Sequence, residues 1–228
     1  MADTSARASL IELLHGVKTF NTDVFPKEKE LFAELADGQS PDTLFIACAD
    51  SRVNPSLITQ TKPGELFVLR NIGNIVPAYG EMLGGVSSAI EYAVMALGVS
   101  HIIVCGHSDC GAMKALLNPD PSALDSMPTV RSWLRNAEAA RAVIATKLEA
   151  TSAGPASVQS MAEQNVLLQI AHLRTHPAVA AALARGTLIL QGWFYDIETG
   201  AVTVLDEQTR QSISVDEALS RLETSAAA

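Results

Sequence analysis

The chain has 228 residues, 48% of them hydrophobic and only 18% charged, with a formal net charge of -9 and a pI near 5.0. That length suits one α/β domain with a sizeable core, and the acidic balance argues against a nucleic-acid partner, which would need a basic face. No apolar run reaches the roughly 18 residues of a membrane span, and Met1-Ala2-Asp3-Thr4-Ser5-Ala6-Arg7 lacks a signal-peptide core, so a cytoplasmic protein without a membrane partner is expected.

In chain order, Leu10, Leu13, Leu14 and Val17 recur at helical spacing, and a second helix is predicted from Pro26 through Ala36, stopped by Gly38. These make an N-terminal helical arm, residues 1–38, ahead of an α/β core with C-terminal helices, residues 39–228, all in one domain. Gln39-Ser40-Pro41 leads into Thr43-Leu44-Phe45-Ile46-Ala47, a non-alternating apolar run that suits a strand buried on both faces. Asn54-Pro55 caps a short helix ending near Thr59. Pro63-Gly64 then turns the chain into Glu65 to Arg70, a second buried strand. From Leu83, the positions Val86, Ile90, Ala93, Val94 and Leu97 trace a helix apolar on almost every face and ended by Gly98.

The third strand is His101-Ile102-Ile103-Val104-Cys105, followed by a short helix from Asp109 to Leu117 that Asn118-Pro119-Asp120-Pro121 breaks. One helix is expected from Thr129 to Ala150, with Thr151 to Pro155 as a local linker. Ser157 opens another towards His172, and Pro177 opens one closed by Gly186. Thr187-Leu188-Ile189-Leu190 is the fourth parallel strand, and Thr199-Gly200 turns into Ala201 to Leu205, an antiparallel edge strand. Ser214 caps a last helix, and Ser225 to Ala228 is a frayed tail. The expected fold is therefore a mainly parallel sheet of four strands plus an antiparallel edge strand, flanked by helices.

Chemistry-bearing residues gather where two buried strands end: Cys48-Ala49-Asp50-Ser51-Arg52 after the first and Gly106-His107-Ser108-Asp109-Cys110-Gly111 after the third. In open α/β sheets, ligands bind at the carboxyl ends of strands where the strand order reverses. Three cysteines at irregular spacing speak against a disulfide framework and for thiolate chemistry in a reducing compartment. Cys48, His107 and Cys110 supply the three donors of a catalytic zinc site with one open position, and soft thiolates beside an imidazole select zinc over harder ions. Cys105, inside its strand, is read as core. Asp50 and Arg52 can pair beside the metal, leaving the carboxylate free to orient a nucleophile; released from Arg52, Asp50 could instead ligate zinc and close the site.

Together these residues resemble the paired signatures of the β-class carbonic anhydrases, and the likeness extends through Pro63-Gly64-Glu65, Arg70-Asn71-Ile72-Gly73-Asn74 and Ala89-Ile90-Glu91-Tyr92-Ala93, from about Gly38 to Tyr195. The resemblance implies reversible hydration of carbon dioxide to bicarbonate by zinc-bound hydroxide, with one zinc ion per subunit on Cys48, His107 and Cys110 and with Asp50 and Arg52 as a catalytic dyad. It also implies a plant-like substrate pocket of Gln39, Phe67, Ile72 and Tyr92 across a dimer interface; the Gly111 N–H, at a helix start, is placed to contact an anion there. A second group in the family is inhibited by bicarbonate in a tryptophan–arginine–tyrosine pocket; here Arg70 and Tyr195 match, but Phe45 stands in place of the tryptophan. The hydrophobic excess and the apolar helix around Tyr92 point to a homo-oligomer, a dimer at least, with dimers able to pair into a tetramer. Two other functions remain open at this stage: hydrolysis of a related heterocumulene such as carbon disulfide, and a non-catalytic zinc-binding scaffold.

Overall fold

The two runs that are apolar on both faces become β1 (Thr43–Cys48) and β3 (His101–His107), and all but the first residue of each strand is buried. A parallel strand needs cover on both faces, so these runs belong at the centre of a sheet. The computed structural model describes residues 4–82, 84–118, 120, 122–151 and 157–226. Among them, one six-stranded sheet has the order β2-β1-β3-β4-β5-β6, with β2 at Leu66–Asn71, β4 at Ile189–Tyr195, β5 at Val202–Leu205 and β6 at Ser212–Ser214. The first four strands run parallel and the last two pair antiparallel.

The four parallel strands and the antiparallel fifth occur in the expected order, but β4 runs from Ile189 to Tyr195 where Thr187 to Leu190 was expected, and β6 adds a sixth too short and polar to announce itself in the sequence. The second strand departs from expectation. It was read as buried, yet β2 lies at the sheet edge with a single strand neighbour and is only partly covered, Val68 being 40% exposed.

Strand order reverses at β1, which has β2 on one side and β3 on the other. Their registers, Cys48 opposite Asn71 and Ala47 opposite Cys105, bring the carboxyl ends of all three strands to one rim. The helices that frame this rim follow the local sequence. Helix α3 (Pro55–Thr59) opens where the Asn54 side chain accepts the Leu57 N–H at 3.3 Å. Next come α4 (Gly85–Glu91), which continues as a π-turn through Tyr92–Leu97 and stops at Gly98, and α5 (Gly111–Leu117). The expected start of the first at Leu83 lies outside the described residues. The second starts later than expected because Asp109 adopts a left-handed backbone (φ 58°), incompatible with a right-handed helix.

The single helix expected from Thr129 is broken into α6 (Pro128–Leu134), a 3-10 turn at Arg135–Ala137 and α7 (Glu138–Thr151). The tightened turn has a physical reason: at three residues per turn it puts Leu134, Ala137 and Ala140 on one face, and all three are buried. Helix α8 (Val158–Leu173) is capped by the Ser157 hydroxyl, and α9 (Pro177–Ala184) ends before Gly186. Ser214 accepts the Glu217 N–H at 3.1 Å at the start of α10 (Val215–Ala226). Pro119, Pro121, residues 152–155 of the expected linker and the last two residues of the expected tail lie outside the described residues, while Thr151 ends α7.

The chain divides into two compact units, Met1–Gln39 and Ser40–Ala228. In the first, α1 (Thr4–Thr19) runs through a π-turn and a 3-10 turn into α2 (Lys29–Ala36). The second helix starts at Lys29 and not Pro26 because Glu28 leaves helical geometry (φ -104°, ψ 13°). Phe20, Phe25 and Phe32 hold this bend together, with ring centroids 5.2 to 6.1 Å apart. Leu10, Leu13, Leu14 and Val17 are all more than half exposed within the unit. Among the described residues no helix is long and apolar enough to cross a membrane.

In the larger unit α8 lies directly on β3 and β4. A Cβ added at Gly192 would stand 2.8 Å from Val166 Cγ1 and 2.9 Å from Ile170 Cδ1, and one at Gly106 would stand 2.8 Å from Val166 Cγ2. Both strand glycines are thus needed for the helix to seat. Gly192→Ala is expected to lower the unfolding free energy by about 1–3 kcal/mol through overpacking, read from urea denaturation. Unchanged stability would mean that the helix can shift without cost.

Candidate active site

Cys48 ends β1, His107 ends β3, and Cys110 occupies the cap position before α5. Their Sγ and ring-nitrogen atoms all lie within 4.8 Å of one another, and the three residues are at most 5% exposed. His107 Nδ1 is 2.8 Å from the Ser108 carbonyl oxygen, an acceptor that fixes the proton on Nδ1 and leaves the lone pair on Nε2. That Nε2 is buried and, among the described residues, has no hydrogen-bond partner. A buried acceptor left without a donor costs roughly 1–3 kcal/mol, so an imidazole lone pair facing two sulfurs fits a bound cation. The donor set, two thiols and one imidazole, is that of zinc.

Hydrogen bonding at the two sulfurs is unequal. The Cys48 thiol is depressed to about 4, first by the side chain of Cys110 and then by the Gly73 and Asp50 N–H groups, against the opposing effect of burial. The Gly73 N–H lies 3.4 Å from Cys48 Sγ. Cys110 moves upward in turn, because Cys48 and burial both favour its protonated form. Cys48 therefore gives up its proton more readily than Cys110 or Cys105. Cys105, fully buried with no such donors, is pushed up to about 12 by burial alone.

Asp50 and Arg52 form a two-pronged pair: Arg52 Nε donates to Oδ1 at 2.9 Å and Nη2 donates to Oδ2 at 2.8 Å, while the Arg52 backbone N–H also reaches Oδ1 at 3.0 Å. The guanidinium holds the carboxyl well below the usual carboxylate range. Asp50 Oδ2 is nevertheless only 4.0 Å from His107 Nε2, close to the metal cluster. Arg70 braces the same turn from β2, donating to the carbonyl oxygens of Cys48 at 3.0 Å and Asp50 at 2.6 Å.

Of the expected pocket residues, Phe67 and Tyr92 come together with ring centroids 6.0 Å apart. Ile72 is 44% exposed, and its carbonyl oxygen accepts the Trp133 indole N–H at 2.8 Å. Gly111 is exposed at the first turn of α5, and Gln39 is an exposed residue that closes the smaller unit. Phe45 is fully buried, its ring meeting the edge of Trp193 at 5.8 Å, while the Trp193 indole N–H is committed to Gln191 at 2.9 Å.

The family model for carbonic anhydrase matches residues 43–202. A carbonic anhydrase of Pseudomonas aeruginosa is 50% identical over 90% of this chain and 92% of that protein. The chain belongs to the β-carbonic anhydrases. The solved structure of the β-carbonic anhydrase CcaA superposes with a TM-score of 0.85 at 42% identity, covering 91% of this chain and 92% of that one. A second match comes from two β-carbonic anhydrases of Sordaria macrospora, described as tetrameric, with a TM-score of 0.75 at 31% identity and coverage of 87% and 97%. The enzyme is thus a carbonic anhydrase, and its reaction is the hydration of carbon dioxide.

Several residues that shape this carbonic anhydrase site escaped the sequence reading. Asn165 donates to the Gly73 carbonyl oxygen at 3.0 Å and accepts from Gln169 at 2.7 Å, and Gln169 in turn accepts the Val76 N–H at 2.9 Å. Both amides are fully buried. The available signal was a pair of amides at i and i+4 set among the apolar Val166, Leu167, Leu168, Ile170 and Ala171 of α8. The pair holds the loop whose Gly73 N–H faces Cys48. Asn165→Ala is expected to cost about 1–3 kcal/mol in stability and to speed hydrogen exchange at the Gly73 N–H, measured by NMR. Exchange as slow as in the parent would show that the loop holds itself.

Proposed function

We propose that this enzyme hydrates carbon dioxide at one zinc ion per subunit held by Cys48, His107 and Cys110, with Asp50 and Arg52 as the dyad that orients the nucleophile. The observation that carries the reading is the buried, unpartnered Nε2 of His107 within 4.8 Å of both thiols. Zinc, when bound, supplies a Lewis acid able to bring the pKa of water down from its bulk value to about 7.

The protein side of the chemistry follows from the hydrogen bonds. The His107 Nδ1 contact with Ser108 holds the imidazole in the tautomer that presents Nε2. Two thiolates donate more charge to a metal than imidazoles would, which weakens its acidity; the Gly73 N–H on Cys48 Sγ withdraws part of that charge. Asp50, kept ionised by Arg52, has an acceptor oxygen available to orient the nucleophile's O–H and so direct its lone pair at carbon. Phe67, Tyr92 and Ile72 are suited to wall an apolar slot for a small apolar gas. Gln39, as amide donor to a substrate oxygen, rests on the family likeness, and the Gly111 N–H, as a contact for bicarbonate, on its place at the start of α5. Asp50 released from Arg52 would supply a fourth donor and close the site. Because Arg52 holds it, the open, plant-like arrangement is the one proposed at neutral pH.

Phe45 packed against Trp193, with that indole committed to Gln191, gives no support to a bicarbonate-inhibited pocket on Arg70 and Tyr195. A homo-oligomer, a dimer at least and a tetramer by analogy with the Sordaria proteins, is favoured by Tyr92 and Met95, 50% and 65% exposed on an otherwise apolar helix. Three free cysteines suit a reducing compartment such as the cytoplasm.

Stopped-flow carbon dioxide hydration with metal analysis tests the assignment. Cys48→Ser and His107→Ala are expected to lose zinc and about a hundredfold or more of the rate while keeping the sheet. Gln39→Ala is expected to raise KM with the metal retained. Full activity in a His107→Ala enzyme free of zinc would overturn the reading.

A further inference from the structure

The Asp50–Arg52 pair explains how a carboxylate is held, but not what holds the guanidinium. Both residues sit on one turn, and the Arg52 side chain is 43% exposed, so its stem alone leaves it free to swing. Its remaining nitrogen is fixed from the other strand end. Arg52 Nη1 donates to Asp109 Oδ2 at 3.0 Å, and Nη2 also approaches the Asp109 carbonyl oxygen at 3.4 Å. The other oxygen of Asp109, Oδ1, is taken by the ammonium of Lys114, in α5.

The result is a row of alternating charge, Asp50, Arg52, Asp109 and Lys114, that crosses from the β1 end to the β3 end. Asp109 lies between His107 and Cys110 and is one of four non-glycine residues described with positive φ. Aspartate tolerates this backbone better than most side chains.

We propose that Asp109 is a positioning residue: its carboxylate, itself steadied by Lys114, pins the outer edge of Arg52 and thereby keeps Asp50 off the metal. The inference rests on the zinc reading above, because the closed state that it opposes is Asp50 ligation. The geometry makes the competition direct. Asp50 Oδ2 is 4.0 Å from His107 Nε2, so a side-chain rotation separates the paired carboxylate from the ligand cluster, and the Arg52 fork must be broken for that rotation to occur. Removing Asp109 takes one anchor from Arg52 and leaves the fork weaker. Exposed ion pairs have modest strength, so the expected shift towards the closed form is about two- to fivefold per pair.

The test uses the full-length enzyme with Asp109→Ala, Asp109→Glu and Lys114→Gln, and two readouts besides activity. The first is exchange of the Arg52 Nε–H, followed by nitrogen-15 NMR. It is expected to quicken about two- to fivefold in Asp109→Ala, less in Lys114→Gln, and to return towards the parent value in Asp109→Glu. The second is the visible spectrum and metal-loss rate of cobalt-loaded enzyme: Asp109→Ala should lose cobalt more slowly, through the added Asp50 donor, and this change should vanish when Asp50→Asn is combined with it. Parent-like Arg52 exchange in Asp109→Ala would overturn the proposal, as would an equal effect of Asp109→Ala on cobalt with and without Asp50. Failure of the parent enzyme to take cobalt would count against the zinc reading instead, while Arg52 exchange would still decide whether Asp109 pins the guanidinium.

Discussion

The structure depends on how closely α8 can approach the sheet. Val166 and Ile170 lie where side chains on Gly106 and Gly192 would have to be, so the helix rests against β3 and β4 with no room between them. That seating fixes the next face of the helix as well. Asn165 and Gln169 then meet the loop after β2 at hydrogen-bonding distance, and further along the chain His172, Thr175 and His176 bond to the backbone of Val76, Tyr79 and Pro77. Buried amides are tolerable only when their polar atoms are engaged, and these are. Packing behind the sheet thus places the Gly73 N–H in front of Cys48.

Electrostatics divides the site in the same way. On the interior side, two thiols and one imidazole are shielded from solvent and poised to give up charge; on the outer side, acids and bases alternate across partly exposed turns. Cys48 and Cys105 make the contrast plain. Both are buried cysteines near the same sheet rim, but Cys48 is surrounded by donors and Cys105 by hydrocarbon, so the one ionises readily and the other resists. Burial alone would have made all three cysteines inert.

Much of this was legible in the residues. Leu44 to Ala47 and Ile102 to Cys105 announced central strands by being apolar on both faces, and the positions of Cys48, His107 and Cys110 at the ends of those strands made a metal cluster the first hypothesis. Asn54, Ser157 and Ser214 marked helix starts correctly because a cap is a local interaction between a side chain and an N–H a few residues on. What stayed hidden was set by tertiary context. The exposure of β2 reflects the absence of a neighbouring strand, which composition does not encode, and the break between α6 and α7 reflects core spacing around Ala137. Asp109 was legible only as the expected start of a helix, because its partner Arg52 lies far away in sequence.

The ligand cluster draws on strands that are neighbours in the sheet but remote along the chain, with Thr43 aligned against His101. A slip of that alignment by a single position would turn Cys48 to the opposite face and scatter the donors. The three donors therefore meet only once this long-range pairing is correct. Convergence of the three side chains thus reports on the pairing of the two central strands, since a misaligned sheet would not bring them together.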